Sequence, residues 1–119
     1  MNPVLKFLKS LFASGVAGIE ASEANRLLRG NRPPYILDVR EPSEFRAGHI
    51  DGATLIPLNS LANRIQQIPK DREILCVCQS GMRSSSAARQ LAAAGYRVMN
   101  LRGGMSAWSA AQLPVRRGS

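Results

Sequence analysis

The sequence predicts an α/β domain built on a mainly parallel sheet, and three observations carry that prediction. Short apolar runs, partly β-branched, alternate with segments of helical period from Ile19 to Trp108. Gly and Pro punctuate the junctions, at Gly30, Pro33-Pro34, Pro57, Pro69, Gly95 and Gly103-Gly104. The best-defined unit runs from Glu73 to Gly95 and reads strand, tight loop, helix. Ile74-Leu75-Cys76-Val77 is a buried strand and Cys78 to Arg83 a loop. Ser84 to Ala94 is a helix with Ala87, Ala88, Leu91 and Ala94 inward, stopped by Gly95. Strands that alternate with helices in this way pair in parallel.

The remaining elements follow in order. Val4, Leu5, Leu8, Leu11 and Phe12 fall at helical spacing in the first twelve residues, with Lys6 and Lys9 opposite. The lysines interrupt the apolar core that a secretory signal needs. A basic amphipathic helix over residues 3–12 leaves open weak contact with a membrane surface, docking on a partner, or packing on its own domain. After a small-residue link the domain proper starts at Gly18-Ile19, where Ile19 adds a short strand. Glu20 to Leu28 is expected as a helix with Ala24, Leu27 and Leu28 inward. Tyr35 to Val39 is a strand, and Glu41 to Ala47 a short helix with Pro42 in its first turn. His49 to Ala53 is a turn. Thr54 to Ile56 is a strand, Leu58 to Ile65 a helix with Leu58, Leu61, Ala62 and Ile65 inward, and Tyr96 to Leu101 the last strand. Gly103-Gly104 opens a loop into a helix, Met105 to Ala111, with Trp108 inward. Leu113 to Ser119 is a basic tail expected to fray. The chain thus divides into an N-terminal segment and link (1–17), one domain (18–114) and a basic tail (115–119).

Composition narrows the function. A chain of 119 residues supports one domain with its own core. Two cysteines do not make a secreted disulfide scaffold, so a reducing, cytoplasmic setting is expected, and the chain is expected to be a monomer. No apolar run reaches the roughly 18 residues of a standard membrane span. Net charge is +8, and all eight acids lie between Glu20 and Glu73. Six arginines and no acids follow. That half would attract anionic substrates or an acidic protein partner. Nucleic acid is not expected, because the arginines are dispersed, aromatic residues are few and no reading motif is present.

The chemistry concentrates at Cys78. A loop between a strand and a helix N-terminus offers unpaired N–H groups and partial positive charge, which suits an anion. Free cysteine has a pKa of about 8.5, and such a loop, with Arg83 at its end, favours the thiolate. Gly81 allows the tight curl. Cys78 is therefore the candidate nucleophile. Cys76, inside the strand, is read as core, and a Cys76–Cys78 disulfide would be badly strained. Two cysteines and one histidine cannot supply the four ligands of an ordinary structural zinc site, so neither metal nor cofactor is expected.

The residues resemble those of the single-domain rhodanese, or sulfurtransferase, family. The resemblance rests on Asp38-Val39-Arg40, Glu44-Phe45, Gly48-His49-Ile50-x-Gly52-Ala53, Cys78-x-x-Gly81-x-Arg83-Ser84 and Gly103-Gly104-Met105-x-Ala107-Trp108, in that order over 18–114. It implies a three-layer α/β/α fold and sulfur transfer in two halves through a persulfide on Cys78. A small anionic donor such as thiosulfate would give up its outer sulfur, and cyanide in an assay or a thiol in the cell would collect it. Carried across, the backbone of Gln79, Ser80, Gly81, Met82, Arg83 and Ser84 cradles the transferred sulfur, and Arg83 helps hold the donor. Asp38 and Arg40 give structural support, and His49 bonds nearby backbone in its turn motif. Ser84 to Ser86 can also cap the helix.

Cell-cycle phosphatases and arsenate reductases share related folds, but their loops hold one more residue between Cys and Arg than the four found here. The smaller ring suits one sulfur atom. Gln79 stands where thiosulfate enzymes of the family often carry a basic residue, which opens the choice of donor. Two alternatives to a thiosulfate enzyme remain: a relay that trades persulfide with protein partners, and a non-catalytic binding module.

Overall fold

In the computed structural model, which describes residues 16–119, the strands are β1 (Ala17–Ile19), β2 (Tyr35–Asp38), β3 (Thr54–Leu55), β4 (Ile74–Val77) and β5 (Val98–Leu101). The helices are α1 (Ala21–Leu28), α2 (Pro42–Ala47), α3 (Leu61–Arg64), α4 (Met82–Ala93) and α5 (Gly104–Ala110). The strands form one sheet in the order β1-β5-β4-β2-β3, and every pair is parallel. Residues 1–15, with the expected amphipathic helix, lie outside the described residues.

Period-two alternation in a central strand sends successive side chains to opposite faces. In β4, Ile74 and Cys76 face one core, with Cys78 just beyond the strand; Leu75 and Val77 face the other. The first core is closed by Ala87, Ala88 and Leu91 of α4 and by Leu61 of α3. The second is closed by Ala21 and Ala24 of α1 and by Met105 and Trp108 of α5. The result is the three-layer α/β/α arrangement. Cα partners across the sheet place Leu37, Cys76 and Asn100 side by side, so the C-terminal ends of β2, β4 and β5 form one rim. Parallel α/β sheets build their sites at this rim.

Several expectations need correction. The helix over Leu58–Ile65 is broken into a 3-10 turn (Leu58–Ser60), α3, and a second 3-10 turn (Ile65–Gln67), and Ala62 is exposed. Asn59 and Ser60 are weaker helix formers than the residues around them, and Tyr96 Oη donates to the carbonyls of Ile65 and Ile68 at 2.9 and 3.0 Å. Tyr96 therefore caps this segment rather than opening β5. Ala94 lies past the end of α4 and is exposed. Gly95 does supply the left-handed stop, at φ 93°.

The tail is not frayed. Arg116 and His49 exchange two backbone hydrogen bonds, at 2.8 and 2.9 Å, as an antiparallel bridge. Gly118 N–H donates to the Arg46 carbonyl at 2.9 Å, Arg116 pairs with Asp51, and Trp108 Nε1 donates to the Pro114 carbonyl at 2.8 Å. Backbone pairing of this kind leaves no mark on side-chain polarity. No helix among the described residues is long and apolar enough to cross a membrane.

Candidate active site

Cys78 is the first residue after β4, and its side chain is enclosed, at 0% exposure. Gly81, at φ 103°, turns the chain back so that α4 begins at Met82, two residues before the expected start. Loop and first helical turn then face one atom. Gly81 N–H donates to Cys78 Sγ at 3.0 Å, and Ser84 Oγ lies 3.2 Å away. Burial by itself would push the Cys78 thiol up. The Ser84 hydroxyl and the N–H groups of Ser84, Gly81 and Ser80 outweigh it, and the thiol titrates below the ordinary value. Cys76 has no such donors. Its enclosure, with the neighbouring Cys78 charge, drives its pKa up to about 12, and both thiols are free.

The loop holds this shape because its carbonyls are anchored from outside. Helix α5 presents its N-terminal N–H groups: Met105 donates to the Cys78 carbonyl at 2.9 Å and Ser106 to the Gln79 carbonyl at 3.0 Å. With the carbonyls drawn outward, the loop's N–H groups are left to face the sulfur. The approach needs glycine, since a Cβ on Gly104 would stand 2.3 Å from the Cys78 oxygen and 2.6 Å from that of Gln79. Asp38 and Arg40 brace the same loop from β2. Arg40 is buried, bonds Asp38 through Nε and Nη2, and reaches the Gly48 carbonyl at 2.8 Å and Gln79 Oε1 at 3.2 Å. Gln79 Nε2 continues to Ser106 Oγ at 3.1 Å. A buried ion pair with every hydrogen bond filled positions a loop more than it stabilises a fold.

Arg83 meets the Glu44 carboxylate with both Nη atoms, at 2.7 and 2.9 Å. The hydrogen bonds from Arg83 lower the Glu44 pKa to about 2, and those to Glu44 raise that of Arg83. The guanidinium near the thiol is thus tethered, by a residue to which sequence reasoning gave no role in the site. Asn100 was missed as well. It sits at the rim on β5, with Oδ1 2.5 Å from Ser84 Oγ and Nδ2 donating to the Gly81 carbonyl at 3.1 Å. A lone amide inside an apolar strand, shortly before Gly103-Gly104, was the available signal. His49 is buried, stacked on Phe45 at 3.7 Å, with Nδ1–H donating to the Phe45 carbonyl at 2.8 Å. It takes the backbone-bonding part expected of it.

One cleft of about 380 Å³ opens beside the loop, lined by Ser80, Met82, Arg89, Asn100 and Arg102 among others. Met82, 79% exposed, stands at its edge.

Comparison with known proteins follows the same outline. The family model described as Rhodanese-like domain matches residues 20–111. A protein of Allochromatium vinosum named sulfurtransferase is 37% identical over 98 residues, covering 82% of this chain and 92% of its own. Thiosulfate sulfurtransferase 18 of Arabidopsis thaliana is 35% identical over 118 residues, covering 87% and 85%. Among solved structures, a rhodanese-related protein of Thermoplasma volcanium superposes with a TM-score of 0.79 at 27% identity, covering 84% of this chain and 97% of its own.

Proposed function

Since the chain belongs to the rhodanese-like family, we propose that it is a sulfurtransferase that carries sulfane sulfur as a persulfide on Cys78. The observation that carries the reading is the convergence of loop and helix donors on one enclosed sulfur atom.

The chemistry has two displacements. Cys78 thiolate attacks the outer sulfur of the donor; a new S–S bond forms, the old one breaks, and its electron pair leaves with sulfite or with a donor thiolate. The persulfide left on Cys78 is an anion, and the donors that favoured the thiolate can hold it too. An acceptor thiolate, or cyanide in an assay, then attacks the outer sulfur and releases Cys78 as thiolate. The cycle involves no net oxidation and needs no metal. Cys78 is fully enclosed, so a donor reaches it by parting the loop rim, where Met82 is exposed.

Two features favour a protein persulfide as a donor or acceptor beside small anions. Met82 offers an apolar contact at the rim, and the residues after Glu73 include no acids. An acidic partner with a sulfur-bearing cysteine would meet complementary charge.

Intact mass of the protein before and after thiosulfate, then after cyanide, tests the reading. A gain of about 32 Da that cyanide removes, absent in Cys78→Ser, is expected of a covalent carrier. No uptake from thiosulfate, with uptake from a protein persulfide, would assign the relay. Uptake from neither would overturn catalysis in favour of a binding module.

A further inference from the structure

The Ser84 hydroxyl has one proton and two neighbours that can accept it. Cys78 Sγ lies 3.2 Å from Ser84 Oγ on one side, and Asn100 Oδ1 lies 2.5 Å away on the other. The orientation of Asn100 is set independently. The Gly81 carbonyl can only accept, so the amide atom 3.1 Å from it is Nδ2, and Oδ1 must face Ser84. An oxygen with no proton of its own at that distance requires Ser84 to donate. The same hydroxyl then turns a lone pair toward Cys78.

We propose that Asn100 is a positioning residue that decides where the single Ser84 proton points, and so whether Cys78 meets a donor or a lone pair. While Cys78 is a thiol, its S–H donates to Ser84 Oγ and Ser84 donates to Asn100. Once Cys78 is ionised, the charge-assisted bond is the stronger, and the Ser84 proton turns to sulfur. Asn100 lines the open cleft, so water can take up the Oδ1 atom that is released. Competition from Asn100 therefore holds the thiolate form back, and a donor or acceptor that engages the Asn100 amide from the cleft would release the hydroxyl to the sulfur. The other titratable or charged groups near Cys78 are Cys76 on β4, Arg83 of α4 with Glu44 of α2, and Asp38 with Arg40 at β2. Arg89 on α4 and Arg102 after β5 lie farther out, at the surface.

This inference rests on Cys78 as the nucleophile, but its test needs no sulfur donor. The rate of Cys78 alkylation by iodoacetamide against pH gives the ionisation midpoint, because Cys76, with its pKa held up at about 12, stays a thiol in that range. Ser84→Ala is expected to raise the midpoint by about one unit. Asn100→Ala is expected to lower it by about half a unit to one unit in the native chain and to leave it unmoved in the Ser84→Ala background. A midpoint that rises or stays fixed in Asn100→Ala, or moves equally in both backgrounds, overturns the proposal. Asn100→Asp guards against loss of fold. Its carboxylate grips the Ser84 proton, so the midpoint should rise, and more with Ser84 present than with Ser84→Ala; equal rises in the two backgrounds would also overturn it. Failure of sulfur uptake with these shifts intact would count against the transfer reaction alone.

Discussion

Gly104 lies so close to Cys78 that a Cβ on it would stand 2.3 Å from the Cys78 carbonyl oxygen. All three contacts inside 3 Å are with backbone atoms, the carbonyl oxygen of Cys78 and the carbonyl oxygen and carbon of Gln79, so no flexible side chain can give way. Gly104 also holds φ 57°, which favours glycine. Gly104→Ala is expected to cost about 2–3 kcal/mol, as overpacking against a fixed wall does. It should also raise the Cys78 ionisation midpoint, since α5 could no longer draw the loop carbonyls outward. Urea unfolding with alkylation against pH reads both. A stable variant with an unshifted midpoint would show that α5 does not shape the loop.

The tail gives a second prediction. Truncation after Pro114 keeps the Trp108 bond and removes the Arg116–His49 bridge, the Gly118–Arg46 bond and the Asp51 ion pair. Backbone bonds at an exposed edge contribute about 0.5 kcal/mol each, so losing these three costs about 1.5 kcal/mol and Tm should fall by about 6 °C. Exchange of the His49 amide should quicken with it. An unchanged Tm would return the tail to the frayed state its composition suggests.

These two cases mark what the sequence carried and what it did not. The strand–loop–helix at Cys78 was legible because Ile74 to Val77 and Ala87 to Leu91 have clear periods, and Gly81 and Gly95 have one use each. Asp38 and Arg40 fall at the end of the expected strand Tyr35 to Val39, and a parallel sheet brings that strand end to the same rim as Cys78. What stayed hidden came from contacts between distant elements. Glu44 looks like any acid in a first helical turn until α2 is set against α4. Asn100 looks like a polar interruption of β5 until Ser84 stands beside it. The tail's backbone pairing has no side-chain signature at all.

The lowered Cys78 pKa also makes stability depend on pH in a fixed direction. An acid whose folded pKa lies below its unfolded value contributes stability above the unfolded value, about 8.5 for cysteine, and loses it as pH falls through the folded pKa. Between those two points the unfolded chain binds more protons. The stability difference between the native protein and Cys78→Ala should therefore grow as pH rises through that window and level off near pH 9. Urea midpoints at several pH values check this. A flat difference would mean that the loop does not favour the thiolate.

Glu44 offers the sharpest separation of structure from function. Its pKa of about 2 lies below that of a free carboxyl, so its share of stability is present above about pH 4 and is lost as pH falls toward 2. Its side chain is 31% exposed and that of Arg83 37%, so solvent screens the pair, and Glu44→Gln should cost only about 1 kcal/mol at pH 7. The cost should vanish as pH falls below about 2, where Glu44 is protonated in the folded state and both proteins become neutral at this position. Function should move the other way. Glu44 neutralises Arg83, the guanidinium whose own pKa senses the Cys78 charge. Releasing it should lower KM for an anionic donor several-fold and weaken as ionic strength rises, because screening dulls an exposed charge. Steady-state transfer from thiosulfate at low and high salt makes the measurement. A KM that rises in Glu44→Gln would mean that Glu44 holds Arg83 in its working position rather than restraining it.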